Sequence, residues 1–275
     1  MTEDPLEDQL RHRVEGGIAW LTLNRPDAGN ALTPAQRNRL IALLEEASAD
    51  LAVRVVVIGA EGRHFCTGAD LRADRSAGTP LPDGAPERPT GSVARMIASG
   101  AQRLVAAVLD CEKPVIAAVG GTAAGIGAHL ALASDLVIAT EEARFIEVFV
   151  RRGIIPDGGG AYLLPRLVGL HRAKELVFFG DDLSAADAAR IGLVNKVVPR
   201  DRFDAAVHEW ADRLATGPTV AIGLAKRLLN RSLESDRITA FAEEAAAQEL
   251  AMTSVDAQEG VASFVERRPT EFKGW

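Results

Sequence analysis

Apolar and polar residues alternate from residue 11 to residue 24 around a central Gly16-Gly17 pair, with Val14 before it and Ile18, Trp20, Leu21 and Leu23 after it. A period near two, interrupted by two glycines, predicts a β-hairpin. The period then lengthens. Thr33-Pro34 has the character of an N-cap followed by proline in the first turn, and Leu40, Ile41, Leu43, Leu44 and Ala47 recur at helical spacing. Arg54 to Gly59 is β-branched and uninterrupted, as a strand covered on both faces should be. Strand-like and helix-like segments keep alternating through residues 92 to 140, the order expected of α/β layers. From Ser184 the pattern is helical: SAADAARIGLVNKVVP reads as a capped helix closed by Gly192 and a short strand, and two helices are predicted over 202 to 215 and 219 to 233. Between Leu71 and Ser92, Pro80, Pro82, Pro86 and Pro89 exclude a regular helix and predict a mobile loop.

With 275 residues and 47% hydrophobic content the chain can bury a large core. A formal net charge of −7 argues against general nucleic-acid binding. Cys66 and Cys111 have neither metal-ligand spacing nor a disulfide framework, which fits a reducing, cytoplasmic setting. The acidic start MTEDPLEDQL lacks the pattern of a signal peptide, and no apolar run is long enough to suggest a membrane span.

Chemistry enters at residues 114 to 139, PVIAAVGGTAAGIGAHLALASDLVIA: an apolar strand, a glycine-rich loop, a small-residue helix and another strand. Glycines ahead of a helix bring bare backbone N–H groups close to a ligand, either a phosphate or a reacting carbonyl. No Lys-Ser or Lys-Thr follows the last glycine, and Gly125-Ile126-Gly127 does not complete a dinucleotide-binding spacing, so the carbonyl is favoured. VRVVVIGAEGRHFCTGADL likewise ends a buried strand in a turn, at Gly68-Ala69-Asp70. Two such turns can supply two donors.

Together with NRPDAGNAL at 24 to 32, these turns resemble the enoyl-CoA hydratase/isomerase (crotonase) superfamily, over nearly the whole chain. The resemblance implies an α/β fold, a crotonase-like spiral of ββα turns over about residues 1–200, with a C-terminal helical oligomerisation region over 201–275. It implies that the N–H groups of Ala69 and Ile126 bind the thioester oxygen of an acyl-CoA, with Ile126 narrowing the acyl pocket. In hydratases of the family two glutamates flank the reacting water; here those places hold His129 and Phe149. Phenylalanine cannot exchange a proton, so standard hydration is not expected. Glu147 shares the face of Phe149 if this segment is a strand but points away from it on a helix.

The segment RGIIPDGGGAYLLPRLVG places Asp157 before three glycines. An aspartate there suits a helix N-cap or a turn. It also matches the PD-x-GG motif of the ring-1,2-epoxyphenylacetyl-CoA isomerases and related enoyl-CoA isomerases, in which that Asp is the single acid/base, and GAHLAL, PTVAIGLAKRLLN and EGVASFVERRPTEFKG look closest to the same branch. The expected reaction is therefore isomerisation of an enoyl-CoA through Asp157, with His129 as a second polar catalyst or a packing residue. The alternatives are a hydratase or C–C hydrolase in which His129 and Asp157 activate water, and a noncatalytic acyl-CoA-binding subunit. The resemblance further implies coenzyme A as part of the substrate rather than a cofactor, held near Thr67, Gly68 and Ala69. Arg25, Arg63 and Lys226 are candidates for its phosphates, and Phe264 and Arg267 for the adenine of a neighbouring subunit in a homotrimer or homohexamer.

Overall fold

The computed structural model describes residues 5–72, 82–86 and 89–275. The hairpin predicted around Gly16-Gly17 is β1 (Leu10–Glu15) and β2 (Ile18–Leu23), antiparallel, with both glycines at positive φ. Eight further strands follow among the described residues: β3 (Val55–Ala60), β4 (His64–Cys66), β5 (Val115–Val119), β6 (Thr122–Ala124), β7 (Leu136–Thr140), β8 (Arg144–Ile146), β9 (Leu183–Ser184) and β10 (Lys196–Val198). They form a six-stranded sheet in the order β1-β2-β3-β5-β7-β10 and a four-stranded sheet in the order β4-β6-β8-β9.

The spiral is visible in that order. β3 then β4, β5 then β6, and β7 then β8 each give one strand to the large sheet and the next to the small one, and a helix lies in the connection that follows each of the first two pairs. All pairings are parallel except β1 with β2 and β8 with β9. Burial on both faces explains the unbroken apolar run of β3. Val56 and Ile58 join the main core with Leu40, Leu43 and Leu44 of the helix Pro34–Ala49, while Val55 and Val57 pack with Ala206, Val207 and Ala211 of the helix Phe203–Ala215. Such burial is worth roughly 25 cal/mol per Å² of apolar surface, and it is what fixes the strand register here.

Local signals behave as their chemistry demands. Thr33 accepts a hydrogen bond from Gln36 N, and the Gln36 side chain closes a capping box. Ser184 caps the short helix Ala185–Arg190 through Asp187 N. The helices Phe203–Ala215 and Thr219–Arg231 occupy the predicted spans, and Arg237–Met252 and Val255–Glu266 complete the C-terminal region. Most of the proline-rich segment predicted as a loop between Leu71 and Ser92 lies outside the described residues. Among the described residues no helix is long and apolar enough to cross a membrane.

Candidate active site

The first turn follows β4. Gly68 has φ of +116°, where a side chain would be strained, and a Cβ there would lie 3.4 Å from Ala124 O. Leu32 N donates to Gly68 O at 2.9 Å and Asp70 N donates to Leu32 O at 2.9 Å. That parallel bridge uses the carbonyl before Ala69 and the amide after it, so the N–H of the exposed Ala69 is left over.

Segment 24–32 is the brace for this turn. Asn30, 1% exposed, accepts from Arg25 N at 2.7 Å and donates to Glu61 O at 2.9 Å and His64 O at 2.7 Å. Thr67 donates to Gly29 O through both its amide (3.1 Å) and its hydroxyl (3.0 Å). The Arg25 guanidinium binds Asp70 Oδ2 at 2.9 Å, Ala31 O at 2.8 Å and Gln36 Oε1 at 3.2 Å. Its fork thus faces inward and ties the turn to the brace.

The second turn follows β6. Gly125, φ +54° and ψ −125°, donates to Ile146 O at 3.0 Å and starts the helix Ile126–Ala133, whose eight residues are all buried. No side chain caps this helix. Its first amides are therefore unsatisfied donors at the positive end of the helix dipole, and Ile126 N–H is the first of them. The two turns are adjacent because β4 pairs with β6 and because Gly127 presses on Cys66: a Cβ at 127 would overlap Cys66 O and sit 2.7 Å from Cys66 Cβ. A Cβ at Gly125 would lie 3.9 Å from Gly68 Cα, so Ala69 and Ile126 belong to loops in near contact. Cys66 is the plug between them, and burial pushes its thiol up to about 12.

One helical turn beyond Ile126, His129 is fully buried. Its Nε2 lies 3.1 Å from Oε2 of the buried Glu147, and its ring stacks on Phe149 at 5.1 Å between centroids. Glu147 lies between β8 and the short helix Val148–Arg152, and Glu147 and Phe149 both reach the imidazole although the backbone between them is not a strand. His129 Nδ1 has no hydrogen-bond partner among the described residues. The turn Asp157-Gly158-Gly159 lies against the same ring. A Cβ at Gly158 would be 2.9 Å from Nδ1 and 2.5 Å from Ile126 Cδ1, and a Cβ at Gly160 would overlap Nε2. Asp157 is half-buried, and the helix Gly160–Val168 begins after Gly159 with no side-chain cap, which removes the N-cap explanation for this aspartate. Its carboxylate takes no hydrogen bond or ion pair among the described residues. The structure thus brings Ile126, His129 and the Asp157 turn into one contact cluster, with Gly68-Ala69 alongside.

The outlying candidates fare differently. Lys226 corrects the sequence expectation: it is 7% exposed and donates to Val108 O at 2.9 Å and Lys113 O at 3.2 Å, with Asp135 Oδ2 at 2.8 Å. Three partners satisfy an ammonium, so nothing remains for a phosphate. Phe264, 84% exposed, and Arg267, exposed at φ +56°, lie at the end of the last helix. Sequence reasoning passed over Asn30 and Asp70 and discounted Glu147. The signal for Glu147 was His129 itself, since a histidine on an otherwise small and apolar helix needs a polar partner.

Known proteins are similar to this chain in sequence and fold. The enoyl-CoA hydratase/isomerase family model matches residues 13–275. A probable enoyl-CoA hydratase of Rhodobacter capsulatus is 38% identical over 96% of this chain and 98% of its own. The 1,2-epoxyphenylacetyl-CoA isomerase of Escherichia coli is 36% identical over 98% and 99%. A crystal structure of an enoyl-CoA hydratase from Mycobacterium smegmatis superimposes with a TM-score of 0.86 at 32% identity, covering 96% of this chain and 98% of that one. Two adjacent glycine turns with unclaimed amides, on a spiral matched almost end to end, therefore belong to an acyl-CoA enzyme of the enoyl-CoA hydratase/isomerase family, with the crotonase fold.

Proposed function

We propose that the chain isomerises an enoyl-CoA, or a related ring acyl-CoA, by moving a proton through Asp157. The observation that carries this reading is the unpaired, half-buried Asp157 carboxylate on a turn packed against Ile126, while the two places that hold glutamates in hydratases hold His129 and Phe149. The N–H groups of Ala69 and Ile126 receive the thioester oxygen. Charge gathers there as the substrate loses a proton, and fixed donors stabilise the enolate without having to reorganise. Asp157 takes the allylic or α proton and returns it to another carbon, and one carboxylate suffices for both steps. The name of the E. coli relative, an epoxyphenylacetyl-CoA isomerase, favours the same branch.

The pantetheine arm runs along the main chain at Thr67, Gly68 and Ala69. Arg63, exposed and without an ion pair among the described residues, is the cation left for the phosphates once Arg25 and Lys226 are engaged internally. The C-terminal helices form the contact between subunits of a trimer or hexamer, which would cover Phe241, Leu250, Val261 and Phe264, all more than half exposed. Burial of Cys66 and Cys111 as free thiols suits a cytoplasmic setting.

A second reading has its own support in the unpartnered Nδ1 of His129, which would activate water for hydration or C–C hydrolysis. Mass spectrometry separates the two. The isomerase converts a 3-enoyl-CoA into a 2-enoyl-CoA of unchanged mass, and Asp157→Asn lowers turnover about 100-fold or more. Formation of a 3-hydroxyacyl-CoA from a trans-2-enoyl-CoA at a rate indifferent to Asp157→Ala would overturn the isomerase reading.

A further inference from the structure

The proposed reaction leaves the buried Glu147–His129 pair, which lies against the Asp157 turn, unused. Glu147, 5% exposed, borders a small cleft otherwise lined by apolar side chains, among them Ala128, Leu132, Phe145 and Leu164, and its one hydrogen-bond partner among the described residues is His129 Nε2 at 3.1 Å. On the other side of the ring, Nδ1 is buried without a partner and faces Gly158 and Ile126. A carboxylate only accepts hydrogen bonds, so it calls for a hydrogen on Nε2. An orphaned N–H is also rarer in protein interiors than an orphaned lone pair. Both considerations put the hydrogen on Nε2 and a lone pair on Nδ1. Phe149 stacked on one face and glycines at 158 and 160, where any Cβ would strike the imidazole, hold the ring in that orientation.

We propose that Glu147 is a positioning residue that acts through His129, fixing the imidazole so that the Nδ1 lone pair faces the Asp157 turn and accepts the Asp157 O–H while that group holds the substrate's proton. The inference rests on the isomerase reading. Between taking the proton from one carbon and giving it to another, Asp157 is a neutral acid, and a donor in a partly buried site needs an acceptor. No net proton passes to His129; the hydrogen bond holds the acid in place for redelivery. If the tautomer were reversed, an Nδ1–H would bind the carboxylate form instead and oppose proton abstraction.

The test is carried out on the full-length protein. ¹⁵N NMR of the wild type, with histidine labelled, should show the His129 hydrogen on Nε2 and an unprotonated Nδ1 at neutral pH; a hydrogen on Nδ1 overturns the proposal without recourse to any variant. Glu147→Leu, which removes the acceptor, should lower kcat for isomerisation about 10-fold to 100-fold with KM within about twofold, because geometry at the reacting group is lost while binding is not; Glu147→Gln, whose amide oxygen still accepts from Nε2–H, should restore most of that loss. Unchanged kcat in Glu147→Leu, or a Glu147→Gln variant as impaired as Glu147→Leu, with Asp157→Asn inactive, overturns this inference alone. Full activity in Asp157→Asn overturns the isomerase reading beneath it.

Discussion

The two turns offer the same thing, a free main-chain N–H, but they are built in opposite ways. The first is held from outside by polar side chains: Asn30 bonds three backbone groups, Thr67 grips Gly29 O, and Arg25 pins Asp70. The second is held from inside by close packing. Gly125 and Gly127 let the helix Ile126–Ala133 start against Cys66 and Gly68, and no side chain caps it. A network of hydrogen bonds fails by degrees as members are removed, whereas a sterically closed contact fails at once when a methyl group is added.

The largest effect should therefore come from Gly127→Ala. Its Cβ would overlap the Cys66 carbonyl, which is main chain and has nowhere to move. Overpacking of this kind costs about 3 kcal/mol, equivalent to a fall of roughly 6–12 °C in melting temperature, with activity abolished in whatever remains folded; scanning fluorimetry and turnover check this. A change of under 2 °C would mean the second turn is looser than its packing indicates.

Asn30→Ala tests the first turn and should be milder, about 2–3 kcal/mol for three stranded backbone partners, measured by urea unfolding. Asn30 also sits at φ +53°. Asn30→Gly should therefore be roughly 1 kcal/mol less damaging than Asn30→Ala, a difference that separates backbone strain from the lost bonds. Both should lower kcat by loosening Ala69, while the melting of Gly127→Ala exceeds either.

The smallest effect lies at the seam. Cys66 has its thiol near Gly68 O and its carbonyl against Gly127, and burial raises it from an ordinary value of 9.0 to about 12. The folded state thus keeps a proton that the unfolded state releases, so this group's stabilisation is complete below pH 9 and is lost as pH rises toward about 12. Urea midpoints above pH 9 should fall less steeply in Cys66→Ala than in the wild type. Equal slopes would show that the thiol is not sealed between the turns.

How much of this was legible in the sequence depends on whether a residue acts locally. The hairpin glycines, the Thr33 capping box and the apolar run of β3 declare themselves within a few positions, because turns, caps and strand burial are set by near neighbours. The glycine turns were legible for the same reason. The partnership of Glu147 with His129 spans 18 positions, and Arg25 with Asp70 spans 45, and only the spiral brings such residues together. Lys226 misled because a lone basic residue looks the same in sequence whether it faces phosphate or three buried oxygens.

The central claim is that Ala69 and Ile126 together receive one oxygen. A crystal structure with a non-reactive acyl-CoA thioester or enolate analogue tests it most directly: the account predicts the thioester oxygen about 2.7–3.1 Å from both amide nitrogens, with the Asp157 carboxyl facing the α and γ carbons. An oxygen bound away from either amide, or an acyl chain that does not approach Asp157, would contradict it.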